Sequence, residues 1–148
     1  MKRNTVKIAL DLGPGQWHGY DVETVWADDL GSGQFRLRNT PFYAFAYSAE
    51  DIVAAEMRDG RLFATSTVRP GGHSTYRIIR DPASTEAEFV DHWAGLAALG
   101  CSYEGGPGNL LSVDVPPTAD LTRVNALLDA GVAAGVWDAE EGHRGRPN

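Results

Sequence analysis

At Asp81-Pro82 the chain changes its periodicity, and that break constrains the fold more than any composition count. Ahead of it, short runs alternate apolar and polar residues, the period of half-buried strands, and Gly- or Pro-bearing turns separate them. Residues 5–11 carry Val6, Ile8 and Leu10 two apart, and Gly13-Pro14-Gly15 then ends the run. Residues 20–27 and the Phe35/Leu37 pair flank Asp28-Asp29-Leu30-Gly31-Ser32-Gly33, a hairpin signal. A short strand over 52–56 turns at Asp59-Gly60 into 61–69, and Pro70-Gly71-Gly72 leads into a further extended run over 73–80. Six short strands with no amphipathic helix among them predict a small curled β-sheet or SH3-like barrel.

Beyond the break the period lengthens. Thr85 and Glu88 form a capping-box pair ahead of Phe89, Trp93 and Leu96, which share one helical face, and Gly100 follows as a left-handed terminator. Residues 101–104 and 110–115 read as strands around the loop Gly105-Gly106-Pro107-Gly108-Asn109. Asp120 caps a second helix carrying Leu121, Val124, Leu128 and Val132, and a last strand is expected over 136–140. From His73 onward this is the order of a ferredoxin-like βαββα(β) unit. The expected class is α+β: a β-rich, barrel-like half over 1–72 and a ferredoxin-like half over 73–142 that shares one core with it. Residues 143–148, with one proline and no other apolar residue, are expected to be a flexible tail.

Charge narrows the function classes. Thirteen basic against twenty acidic residues leave a net charge of −7, which opposes binding to phosphate backbones, so no nucleic acid is expected. No apolar run approaches the roughly 20 residues of a membrane span, and the start resembles neither a signal peptide nor a lipid anchor, so a cytoplasmic location without membrane contact is expected. A lone Cys101 forbids an internal disulfide and any multi-cysteine metal cluster. Neither metal nor cofactor is expected, and no nucleotide-binding, zinc-protease or nucleophile-elbow motif occurs.

Three constellations remain. Strand alternation puts His73, Thr75 and Arg77 on one face of the 73–80 run. There His73 could move a proton and Arg77 clamp an anion, or Arg77 could pair with Glu23 or a tail acid. The segment Trp137-Asp138-Ala139-Glu140-Glu141-Gly142-His143 collects Asp138, Glu140 and Glu141 but lacks the spacing of a calcium loop. Its acids are expected to be solvated or paired with Arg36, Arg38 or Arg77, with Asp138 opposite Arg77. Rings are dense in Trp17, Trp26, Phe42, Tyr43, Phe45 and Tyr47, and alternation leaves some of them for an interface, with Trp17, Tyr43, Phe45 and Tyr47 as the binding candidates. Cys101 reads as an inert core thiol, a pairing with His73 having no motif behind it.

The motifs Val22-Glu23-Thr24-Val25-Trp26-Ala27, Asn39-Thr40-Pro41-Phe42-Tyr43-Ala44, Gly72-His73-Ser74-Thr75-Tyr76-Arg77 and Trp137-Asp138-Ala139-Glu140-Glu141-Gly142 occur in that order. With their spacing, residues 6–142 resemble the bacterial domain-of-unknown-function family 4265. The resemblance implies a bacterial intracellular protein and carries no activity, cofactor or catalytic residue with it. The expected function is that of a non-enzymatic acidic binding protein acting on a protein partner, a basic one by charge, of immunity or regulatory type. The alternative is a small enzyme or a small-molecule or anion binder built on His73, Thr75, Arg77 and a tail carboxylate.

Overall fold

A computed structural model describes residues 4–145. Five strands, β1 (Thr5–Asp11), β2 (Val22–Gly31), β3 (Gln34–Leu37), β4 (Ile52–Arg58) and β5 (Arg61–Arg69), form a closed barrel in sequence order. Neighbours are antiparallel, and a parallel contact at Ala9 and Phe63 joins β1 to β5. Two hairpins are set by their turns. Ser32 and Gly33 have φ of 57° and 74°, and Asp59 and Gly60 have 49° and 80°, the paired left-handed conformation that lets two residues reverse twisted strands. Inward side chains from β1, β2, β3, β4 and β5, with Ile8, Leu10, Val25, Leu37 and Val53 at the centre, fill the barrel.

The remaining elements are β6 (Ser74–Arg80), α1 (Glu86–Ala98), β7 (Ser102–Gly105), β8 (Leu110–Val115), α2 (Leu121–Ala133) and β9 (Trp137–His143). They make an antiparallel four-stranded sheet in the order β7-β8-β6-β9 with both helices against one face. The described residues make a mixed α+β fold of nine strands and two helices. Thr85 caps α1 with the reciprocal Glu88 bond, and Asp120 caps α2 by accepting from the Thr122 amide at 2.9 Å. Phe89 and Leu96 of α1 and Leu121, Val124 and Leu128 of α2 pack on Tyr76, Ile78, Val113 and Trp137. Val132, expected on that buried face, is exposed, and Gly131 lies there instead because the Trp137 indole occupies the space a side chain would need. The indole N–H donates to the Leu128 carbonyl at 3.0 Å, closing the last turns of α2 over β9.

Two expectations are corrected. The halves have separate apolar cores, one from residues 8–64 and one from 76–137, because polar side chains fill the layer between them. The strand that begins at Trp137 continues through His143, whose backbone pairs with Thr75, and the Gly145 amide donates to Ser74 Oγ at 3.1 Å. Residues 143–145 are therefore docked, and 146–148 lie outside the described residues. No described helix is long and apolar enough to cross a membrane.

Candidate functional site

The layer between the cores is built around the segment linking β3 to β4. Glu23, on the inward face of β2 at the end of the barrel, is buried, and its carboxylate accepts the backbone amides of Phe42, Tyr43 (2.9 Å) and Ala44 (3.0 Å). From the other side Arg77 of β6 donates through Nε to the Phe42 carbonyl and through an Nη to the Ala44 carbonyl at 2.9 Å. Arg77 is only 2% exposed, and its other Nη has no hydrogen-bond partner, the Glu140 carboxylate lying at 3.6 Å. Burial lowers the Arg77 pKa, and Glu140 and Glu23 push it back up.

The rest of this seam follows the same pattern. Glu104 of β7 accepts from the Thr40 amide (2.8 Å) and from the Asn39 side chain (3.2 Å), while Ser112 of β8 donates to the Thr40 carbonyl. Ser48 Oγ lies 2.7 Å from both Thr75 Oγ1 and His143 Nδ1, and Asp51 accepts from the amides of Ser48 and Gly71. Backbone groups in a buried irregular segment need such partners, so these side chains replace the ladder that no strand supplies there.

The expected common face of His73, Thr75 and Arg77 is thereby divided. Thr75 and Arg77 are covered by residues 42–48, whereas His73 stands beyond that cover, with Nδ1 2.9 and 3.0 Å from the Asp114 carboxylate. Glu23 does not pair directly with Arg77, since the peptide of residues 42–44 runs between them. In the β6/β9 ladder Glu140 is opposite Arg77, and Asp138 is opposite Ile79. Glu141 pairs with Arg144 at 3.1 Å. Among the described residues no His, Cys, Asp or Glu group suited to a metal is formed.

Cys101 is buried in the core of the second sheet, and burial pushes its thiol up to about 11, the reverse of nucleophile activation. Its neighbour in charge is Asp114, which opposes ionisation further. His92 sits against Trp137 at a ring distance of 6.2 Å, flanking the buried face of α1.

The aromatic candidates do converge. Tyr43 stacks on Tyr20 (5.4 Å) and meets the tilted His18 ring at 4.2 Å, with the Trp17 ring edge-on at 6.0 Å. Trp17 is 71% exposed and Phe45 58%, and the Arg77 guanidinium lies 4.6 Å from the Phe45 ring centroid. Trp17, Arg77, Ile79, Leu110, Asp138 and Glu140 line a cleft of about 100 Å³. His18, Tyr43, Phe45 and Tyr47 line a second hollow of about 230 Å³. Tyr47 also packs against the barrel core, so it belongs to the floor of this surface. Trp26 stands apart beneath Lys7, 5.2 Å from the ammonium.

Sequence reasoning missed Asp114, Ser48 and Glu104. The first carried a signal: Leu110, Ser112 and Asp114 alternate along β8 with Leu111, Val113 and Val115, which marks a polar face needing cover.

Comparison with curated proteins gave no match. Among solved structures, a hypothetical protein from Neisseria gonorrhoeae is similar over 99% of each chain, with a TM-score of 0.78 at 19% identity, a likeness of fold alone. Residues 23–139 match the family described as Domain of unknown function (DUF4265), a span that contains both Glu23 and Arg77 and most of the seam they build. The chain belongs to that family.

Proposed function

We propose that this is a non-enzymatic binding protein of the bacterial cytoplasm, of immunity or regulatory type, which grips a basic segment of a protein partner on its aromatic face. The observation that carries the reading is the exposure of Trp17, which lines a cleft with Asp138 and Glu140, and of Phe45, whose ring lies against the Arg77 guanidinium of that cleft. Large rings left in water beside the exposed carboxylates of Asp138 and Glu140 suit a partner offering an apolar anchor flanked by Lys or Arg. The net charge of −7 favours encounter with such a partner. We read the carrier as an SH3-like barrel fused to a ferredoxin-like unit, supported by the closed five-strand order and by the order β7-β8-β6-β9. The enzymatic alternative is less well supported, because Thr75 and Arg77 lie beneath residues 42–48.

The test is affinity capture with native bacterial lysate, comparing the parent with Trp17→Ser/Phe45→Ser and with Asp138→Asn/Glu140→Gln, all checked for equal melting temperature. A basic protein retained by the parent and lost by both variants, with retention falling as salt rises, is the expected result. An identical protein profile for all three sinks the reading.

A further inference from the structure

A third hollow lies on the outer face of the barrel and shares no lining residue with the aromatic surface. The strand register sets Arg36 of β3 opposite Ile52 of β4, and Ile52 opposite Arg69 of β5. Residues directly opposite one another share a face, so both arginines stand on the same side of the barrel wall, with backbones roughly 10 Å apart and Ile52 between them. Together with Glu50, Gly71 and His73 they line an open hollow of about 450 Å³.

The acids beside this hollow are engaged by other groups, Asp28, opposite Arg36 in the β2/β3 ladder, lying 3.6 Å from Arg38. The hollow's own acid, Glu50, is already held by Arg38, at 2.9 and 3.2 Å to the two oxygens. Neither Arg36 nor Arg69 has a carboxylate partner among the described residues, in a chain whose net charge is −7. His73 is oriented as well. Its Nδ1 donates to Asp114, which leaves Nε2 to accept from a protonated phosphate oxygen or, in the imidazolium form, to donate to an ionised one.

The rim is preformed. Asp51 holds the Gly71 amide at 2.9 Å, and at Gly71 a Cβ would stand 2.5 Å from the Glu50 carbonyl oxygen, so only glycine lets the two loops close together. Gly72, at φ +85°, then turns the chain into β6. Two guanidinium forks and an imidazole on a fixed frame form a receptor for an oxyanion with three or more oxygens. We propose that this hollow binds the phosphate group of a small molecule. A volume of about 450 Å³ exceeds what a lone ion fills and leaves room for the body of a phosphomonoester or a pyrophosphate.

The experiment is an NMR titration of isotopically labelled protein at constant ionic strength, with inorganic phosphate, pyrophosphate, malonate and chloride as probes. Saturable shifts confined to the Arg36 and Arg69 side chains and to Gly71 and His73 are expected with both phosphates. Arg36→Gln and Arg69→Gln should each weaken pyrophosphate by about tenfold or more, and Arg36→Lys/Arg69→Lys by less, since the charge stays and the fork is lost. Arg123→Gln, on the exposed face of α2, should bind as the parent does. Shifts that never saturate, equal affinity for malonate, or equal loss in Arg123→Gln would overturn the proposal. Arg69 is exposed, so its variant keeps the test decisive should Arg36→Gln fail to fold.

Discussion

Glu23 and Arg77 hold opposite edges of the same three-residue peptide, the carboxylate taking the amides of residues 42–44 and the guanidinium supplying donors to the carbonyls of Phe42 and Ala44. Opposite charges thus act on one another through a polarised stretch of backbone rather than by contact. Each neutralises a set of dipoles that the other orients.

Replacing either residue leaves buried backbone groups without partners. Arg77→Met and Glu23→Gln are each expected to lower stability by about 2–4 kcal/mol in urea unfolding. The double variant should lose less than the sum, by about 1 kcal/mol or more, because the second change removes a partner whose purpose is already gone. Strict additivity would show that the two ends of the peptide are independent.

Gly131→Ala is expected to destabilise, although alanine improves helix propensity by about 1 kcal/mol. The added methyl would overlap the Trp137 indole, and the indole cannot withdraw while its N–H is held by Leu128. Trp137→Ala alone should cost about 3–5 kcal/mol. Combining the two should cost less than their sum, which calorimetry of the three variants checks.

Truncation after Gly142 is expected to lower the melting temperature by about 3 °C or more. It removes the His143 ring from Ser48 and the Gly145 amide from Ser74. Ser48→Ala should reproduce part of the loss, and an unchanged melting temperature in both would show that these contacts contribute nothing.

Cys101 should resist alkylation in the native state below about pH 10 and react at once when the protein is unfolded, since its folded pKa is raised from 9.0 to about 11. The sign for stability follows. A group that holds its proton more tightly when folded stabilises the fold fully below 9.0 and loses that contribution as pH rises to about 11. Tyr43, Tyr47 and Tyr76 are likewise raised above 10.0 by burial, so they add to the alkaline loss. Stability independent of pH between 8 and about 11 would contradict the burial of these groups.

The elements were legible where local chemistry decides them. Val6, Ile8 and Leu10 carry their own period, Asp59-Gly60 its own turn, and Thr85 with Glu88 its own cap. Alternation also placed Thr75 and Arg77 together on one face. What covers that face was not legible, because residues 39–48 have no regular structure of their own and are held by groups as distant in sequence as Glu104 and His143. The row of Arg36, Ile52 and Arg69 was equally hidden, since it depends on register between strands and not on any pattern within one.

The polar filling of the seam determines how the molecule would fail. Two halves joined through an oily contact expose sticky surface whenever they part, and such surface recruits other chains. Here, parting bares Arg77, Glu104, Ser112, Thr75 and Ser48, groups that water solvates well. Each half meanwhile keeps its own apolar core closed. Mild heating should therefore loosen the halves into a still-dispersed, hydrated state before either core melts, so clouding of the solution should follow core unfolding rather than precede it.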